Sequence, residues 1–451
     1  MASVYTSIVS NFLFPLHEKL KKHTTTAVHA EMDRSQWWSR EQLDHYRAKR
    51  LNEFLLYVNE HVPYYRKLFD DNGVQPQEIH SPEDLARIPF LTKSLIRANS
   101  DALKADDASS LVQGNTGGSS GEPLIFFLGS ERVSHDVAAK WRATRWWGVD
   151  IGDPEIVVWG SPIEVGAQDR VRAIRDKLLR SKLIPAFEMS STNLDRFVEE
   201  IRTFRPAMLF GYPSSLTLIA KRARSQGVRM DNLGIRVAFV TSERLYDEQR
   251  ETISSVFGCR VANGYGGRDA GFIAHECPAG NMHITWEDII VEVVDSQGRQ
   301  LPAGEAGEIV ITHLSTKEFP FIRYRTGDVG VLSEAHCDCG RGLPILAEIQ
   351  GRSTDFIVAR DGTVMHGLAL IYVVREVEGV EKFKITQESL DLTEVLLVPN
   401  QEFQHKDIET IRSGLAKRLG DDVRIDIQLV EEIPAEKSGK FRYIASKVEV
   451  G

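Results

Sequence analysis

"AMLFGYPSSLTLIAKRARSQGVRMDNLGIRVAFV", residues 207–240, decides the fold. "AMLFGYP" (207–213) is a short apolar run closed by Gly, Tyr and Pro, as at a strand end. "SSLTLIAKRARSQG" (214–227) has apolar residues at helical spacing, with Ser214 near its start and Gly227 just past its end. "IRVAFV" (235–240) is a second strand. "EIVVWG" (155–160) precedes this unit, and "RVANGYG" (260–266) follows it. Strands separated by helices predict α/β layers around a largely parallel sheet. Ligands in such sheets bind beyond the carboxyl ends of the strands. Those ends are rich in Gly, Tyr and Ser: Gly160-Ser161, Gly211-Tyr212-Pro213, Thr241-Ser242-Glu243 and Asn263-Gly264-Tyr265-Gly266.

On either side the pattern changes. Residues 39–60 read as an amphipathic helix opened by a Ser39/Gln42 capping box. The apolar patch near the N-terminus reads as a helix docked on the body, without the basic flank and cleavage site of a signal peptide. From about 285 to 350, short strands with Gly-rich turns predict a β-rich subdomain. Beyond it, "FIVARDGTVM" (356–365) predicts a hairpin turning at Asp361-Gly362. The final hundred or so residues are enough for a small α+β domain.

The chain has 451 residues, 42% hydrophobic and 26% charged, the balance of a soluble globular protein of two or three domains. A net charge of −9 argues against a nucleic-acid partner. No apolar run is long enough to span a bilayer, so no membrane partner and a cytoplasmic location are expected. Four cysteines are too few for a disulfide framework.

"NTGGSSGEP" (115–123) lacks the lysine of the common phosphate loop. Thr116, Gly117, Gly118, Ser119, Ser120 and Gly121 still offer backbone N–H groups and hydroxyls that could wrap a phosphate. A polar linker is the alternative. In "YRTGDVG" (324–330), Asp328 on a tight turn could accept both hydroxyls of a ribose. In "NGYGGRDAG" (263–271), Tyr265 could stack on a base and Asp269 could hold a hard cation. In "PAEKSGKFR" (434–442), Lys440 lies on a Gly-flanked turn.

These segments, in this order, resemble the adenylate-forming superfamily of acyl-CoA synthetases, peptide-synthetase adenylation domains and luciferases. "WWSREQLDHYRAKRLNEFLLYVNEHVPYYRKLF" followed by "LARIPFLTKSLIR" is similar to the phenylacetate–CoA ligase branch, and within it to a subgroup named for capsular polysaccharide biosynthesis. The resemblance implies a large N-terminal domain of residues 1–351 that binds ATP and the acyl group. It implies a mobile C-terminal lid, 352–451, that swings about a hinge and carries Lys440. It implies ATP, Mg2+ and CoA, and two steps: a carboxylate and ATP give an acyl-adenylate, then a thiol displaces AMP. The roles it implies are the cation for adenylation (Lys440), phosphate grip (Thr116, Ser119 and Ser120), Mg2+ (Asp269), ribose (Asp328), and ribose or phosphate (Arg352). Tyr265 would stack on adenine, within a segment that also holds Asn263, Gly264, Gly266 and Arg268. Two departures stand out. Arg268-Asp269 replaces the usual Thr-Glu, and Thr354-Asp355 stands where the hinge residue falls. A homodimer is implied only by the branch.

The cysteines suggest a second site. His275-x-Cys277 and Cys337-x-Cys339 supply three thiolates and an imidazole, a tetrahedral zinc set, with His283 or His336 as substitutes for His275. Free thiols in a reducing compartment are the alternative, and Cys259 reads as core. For the acid, Trp159, Tyr212, Pro213 and Ser242 lie at predicted strand ends, although the aromatic pair could equally be core. Three readings follow: an aryl-acid–CoA ligase, an adenylating enzyme whose acceptor is an amine, a hydroxyl or a carrier protein, or a non-catalytic nucleotide binder.

Overall fold

A computed structural model describes residues 3–116, 124–159, 170–186, 191–352, 356–361, 364–366, 368–433 and 443–448. The chain divides into two compact units. The large one comprises Met1–Thr326 and Gly330–Glu348. The small one begins at Ile349, and Gly327–Val329 cluster with it.

The large unit opens with helices. α1 (Val4–Ile8) runs through a π turn at Val9–Leu13 into α2 (Phe14–Leu20). α3 (Thr25–Ser35) and α4 (Arg40–His61) follow. The predicted capping box forms: Ser39 Oγ accepts the Gln42 N–H at 3.3 Å, and Gln42 Oε1 accepts the Ser39 N–H at 3.0 Å. Leu43, Leu51, Phe54, Leu55 and Val58 form the buried stripe of α4. After α5 (Pro63–Asn72) and α6 (Lys93–Ala98), an antiparallel ribbon of β1 (Val112–Asn115) and β2 (Ile125–Leu128) leads into α7 (Ser130–Trp146).

The alternating pattern follows. β3 (Glu155–Trp159), α8 (Arg170–Leu179), β4 (Ser181–Pro185) and α9 (Ser191–Phe204) precede β5 (Met208–Gly211). α10 (Pro213–Ser225), β6 (Val237–Thr241), α11 (Asp247–Phe257) and β7 (Arg260–Gly267) come next. These strands are parallel in the order β4-β3-β5-β6-β7. Gly227, just past α10, takes the left-handed conformation (φ +64°) that stops the helix. Apolar side chains from β3, β5, β6 and α10 interdigitate in one core with Ile156, Leu209, Leu216 and Val240 fully buried. At about 1.5–3 kcal/mol for each large aliphatic side chain buried, such contacts rather than helix propensity hold these layers together.

At β7 the sheet turns antiparallel. β8 (Gly271–Glu276) pairs back on β7, then β9 (Met282–Ile284) pairs on β8. The β-rich stretch of β10 (Ile289–Val294), β11 (Ala306–His313), β12 (Phe321–Ser333) and β13 (Ile345–Arg352) joins the same ladder. The whole is one eleven-stranded sheet, ordered β10-β11-β12-β13-β9-β8-β7-β6-β5-β3-β4. Asp328 therefore lies within a strand that continues to Ser333, not at a strand end. The turn expected there is a local kink at Gly327 (φ +76°).

In the small unit, β14 (Phe356–Val358) and β15 (Val364–His366) form the predicted hairpin. α12 (Leu368–Arg375) and α13 (His405–Leu419) accompany a four-stranded sheet, in which β18 (Arg424–Leu429), β17 (Leu392–Pro399), β16 (Val380–Ser389) and β19 (Ile444–Ser446) are neighbours in that order. Among the described residues, no helix is long and apolar enough to cross a membrane.

Candidate active site and metal cluster

Thr116 closes the neck of the Thr/Ser/Gly loop. Its N–H donates to Leu124 O (3.0 Å), and its Oγ1 accepts the Leu124 N–H (3.1 Å). Gly117, Gly118, Ser119, Ser120 and Gly121 lie outside the described residues, as do Thr354, Asp355 and Lys440. Arg352 ends β13, and only its backbone is described.

The segment from Asn263 to Gly267 forms the last half of β7. The Asn263 N–H donates to Glu276 Oε2 (2.8 Å), and Arg250 holds the same carboxylate at 2.9 Å. Tyr265 is half-buried at a register shift between β7 and β8. Gly266 is obligatory there, because a Cβ would lie 2.1 Å from Gly271 O. Arg268 and Asp269 sit in the turn that follows, Arg268 exposed and Asp269 partly buried.

Asp269 is fixed on three sides. Oδ2 accepts the Tyr324 hydroxyl at 2.6 Å, and Oδ1 caps the Ala270 N–H at 3.0 Å. Its backbone carbonyl accepts from Arg132 Nη2 at 3.3 Å. Arg132 is itself buried, with Nε bonded to Asp136 at 2.8 Å. Burial alone would raise the Asp136 carboxyl, but Arg132 and His313 outweigh it and hold it below its usual range. His313, opposite Asp136 at 3.8 Å, is pushed down to about 4 by burial. Sequence reading missed Tyr324 and Arg132. Tyr324 stands in the ribose motif, 55 residues from the carboxylate it orients, and nothing local links the two.

The predicted acid-side residues gather at the carboxyl ends of β3, β5 and β6. Trp159 stacks on Tyr212 with centroids 4.4 Å apart, and Tyr212 is buried in the core. Pro213 begins α10. Ser242 has φ +71°, a left-handed conformation that costs a non-glycine residue about 1–3 kcal/mol. Such strain favours a functional position, and no sequence signal announced it. An aromatic row continues across the strands through Phe210 and Phe239 to His275.

His275 therefore stands outside the cysteine cluster. It is fully buried between Phe239 and Phe272, and burial pushes its pKa down to about 3. Cys277 lies past the end of β8, where the chain has turned, so the two-residue spacing does not carry both side chains to one place. β9 supplies His283 instead. Cys277, His283, Cys337 and Cys339 bring their ligand atoms within 4.8 Å of one another. Cys277 Sγ and Cys337 Sγ are 3.6 Å apart, and His283 Nε2 is 3.2 Å from Cys339 Sγ. A disulfide needs about 2.05 Å, whereas a tetrahedral edge between thiolates at about 2.3 Å from zinc is about 3.8 Å. His283 Nδ1 lies 3.0 Å from Leu343 O, which leaves the Nε2 lone pair for a metal. Cys277 and Cys337 each open a tight turn, to Gly280 (φ +88°) and Gly340 (φ +79°). Trp146 packs edge-on against His283 and donates to Gln36 (2.8 Å), so the cluster ties β8, β9 and the 337–343 loop to the helical layer. The donor set fits zinc.

Two family profiles match the chain: an AMP-binding enzyme over residues 182–316 and a CapK C-terminal domain over 357–447. Protein CapK of Staphylococcus aureus is 24% identical over 405 residues, 89% of this chain and 88% of its own. The phenylacetate-coenzyme A ligase of Thermus thermophilus is 27% identical over 440 residues, 90% and 96% of the two chains. A 2-hydroxyisobutyryl-CoA ligase structure in the postadenylation state, in complex with R3-HIB-AMP, superposes with a TM-score of 0.75 at 23% identity, covering 92% of each chain. The chain thus carries an AMP-binding enzyme segment at 182–316 and a CapK C-terminal domain at 357–447, and it is similar along about nine-tenths of its length to phenylacetate-coenzyme A ligases and to CapK.

Proposed function

We propose that the protein is an AMP-forming acid–thiol ligase that converts an aryl or arylacetic acid, ATP and CoA into an acyl-CoA thioester. The observation that carries this reading is Asp269, a carboxylate oriented by Tyr324 and Arg132 at the β7–β8 turn, in a chain whose relatives include CoA ligases over about nine-tenths of its length. In the first step a substrate carboxylate oxygen attacks the α-phosphorus and the bond to pyrophosphate breaks. In the second, the thiol sulfur attacks the acyl carbon and AMP leaves.

Charge builds on the α-phosphate as the first step proceeds, so cations and N–H donors must already face it. Lys440 is the cation brought by the C-terminal lid. Thr116, Ser119 and Ser120 hold pyrophosphate by hydrogen bonds that can be released. Asp328 and Arg352 orient the ribose, and Tyr265 stacks on adenine. Asp269 offers one hard oxygen ligand, which suits Mg2+, an ion usually held by one or two carboxylates and the substrate phosphates. When bound, that ion screens the charge of the phosphates. Trp159, Tyr212, Pro213 and Ser242 form the wall for the acid, and residues 352–451 form the lid, hinged at Thr354-Asp355. The Cys277, His283, Cys337 and Cys339 cluster holds a structural zinc. A homodimer remains an inference from the branch alone.

The test is carboxylate-dependent exchange of labelled pyrophosphate into ATP, across benzoic, arylacetic, amino and fatty acids, followed by product analysis with CoA. Exchange with an aryl acid and a CoA thioester as product is the expected outcome. Exchange followed by transfer to an amine, a hydroxyl or a carrier protein, with CoA inert, would select the second acceptor class.

A further inference from the structure

The N-terminal helix is apolar on both sides. Its inner side docks on the body: Phe14 packs edge-on against Trp141 at 5.2 Å, Val9 fills the space above Gly152, and Thr6 donates to Asp153 at 2.9 Å. Its outer side is not needed for that docking, yet Val4, Ile8, Phe12, Leu16 and Leu20 stand 44–79% exposed along it. They recur every four residues. In a pure α-helix each such step drifts about 40° around the axis, and the wider π turn at Val9–Leu13 takes back much of that drift. The stripe is about 25 Å long at about 1.5 Å per residue.

α8 extends the patch. Tyr5 Oη donates to Leu178 O at 2.8 Å, and Arg180 stacks over the Tyr5 ring. Ile174 and Leu178 of α8 are 62% and 48% exposed. Nine of the sixteen exposed large hydrophobics among the described residues fall in residues 4–20 and 174–178, so this is a concentrated surface and not ordinary scatter.

Among the described residues, the exposed charge around it is mainly basic. The exposed lysines Lys19, Lys21, Lys22 and Lys177 border the stripe. The only acidic residue among the first 24, Glu18, is buried against His17, His23 and Thr25. On α8, Asp176 is occupied by Arg175. An overall net charge of −9 makes this local basic rim more telling. A second copy meeting this face across a two-fold axis would set lysines against lysines. An anionic bilayer surface complements both the apolar stripe and the basic rim. We propose that this face docks the enzyme peripherally on an anionic membrane surface, with the N-terminal helix lying in the headgroup plane. The expectation of no membrane partner rested on the lack of a spanning segment, and surface docking needs none.

The experiment is vesicle flotation of the full chain with phosphatidylcholine vesicles and with vesicles containing phosphatidylglycerol. The expected result is binding to the anionic vesicles, weakened by salt, and little binding to the neutral ones. Phe12→Asp with Leu16→Asp should weaken it by about tenfold or more, and so should Lys19→Glu with Lys21→Glu and Lys22→Glu, which leaves the apolar stripe intact. Both variants should keep the wild-type unfolding midpoint and pyrophosphate exchange. Absence of flotation with anionic vesicles overturns the proposal, as does equal flotation of wild type and variants. A concentration-dependent dimer in sedimentation, lost in the Phe12→Asp, Leu16→Asp variant without any vesicle binding, overturns it too and assigns the face to a second copy.

Discussion

The Tyr324 hydroxyl points at Oδ2 of Asp269 from 2.6 Å. One residue belongs to the segment read as the ribose motif and the other to the segment read as the adenine motif, so this hydrogen bond links the two. A hydrogen bond to a charged group is worth about 1.5–3 kcal/mol. Tyr324→Phe should therefore slow pyrophosphate exchange by about tenfold or more and raise the Mg2+ concentration needed for half-maximal rate, with the fold intact. Asp269→Asn should be worse. If Tyr324→Phe leaves the Mg2+ dependence unchanged, the hydroxyl does not orient a metal-binding carboxylate.

The cysteine cluster separates two histidines that look equivalent in sequence. Elemental analysis of the purified chain should find one zinc per molecule. His283→Ala and Cys339→Ala should lose it and lower the unfolding midpoint by several degrees, since a metal that binds only the folded state stabilises it. His275→Ala should keep the metal, because its ring lies between Phe239 and Phe272. Zinc lost from the His275 variant and retained by the His283 variant would reverse the assignment.

Acid should destabilise the fold through His29. Its ring is stacked on Trp141 at 3.9 Å, and burial depresses its pKa from 6.5 to about 4. The unfolded chain takes up this proton first, at about 6.5. The stability that the neutral ring contributes is thus complete above 6.5 and is lost as pH falls toward 4, with a ceiling on the order of 3 kcal/mol. Urea midpoints measured from pH 7.5 to 4.5 should fall less steeply in His29→Phe than in wild type. Parallel curves would remove His29 as the cause.

How much of this was legible depends on sequence distance. The Ser39–Gln42 cap spans three residues, and both of its bonds form. The strand–helix–strand unit of 207–240 carries its own punctuation in Pro213 and Gly227, and it folds as read apart from its ends. The glycines of "NGYGG" were visible as a loop signal, yet the reason for Gly266 is the carbonyl of Gly271 on the returning strand. What failed was inference about which side chains meet after a turn. Nearness in sequence points to His275 beside Cys277, but the register of β8 and β9 brings His283 to the thiols. The apolar patch near the N-terminus predicts a docked helix, and its inner side docks through Phe14 and Thr6. Nothing in a one-dimensional pattern says that a second apolar stripe faces outward.

The role proposed for Lys440 gives the mechanism its sharpest test. If Lys440 supplies the cation only while the α-phosphate is attacked, its removal should cost the first step alone. Lys440→Ala should slow pyrophosphate exchange by at least about a hundredfold, the scale of losing one preorganised donor to developing charge. The same variant, given a synthetic acyl-adenylate and CoA, should form thioester at close to the wild-type rate. Asp328→Ala should impair both steps, because in the proposed mechanism it holds the ribose throughout. Equal losses in both half-reactions for Lys440→Ala would mean that the lysine binds AMP generally and that the lid does not exchange roles between steps.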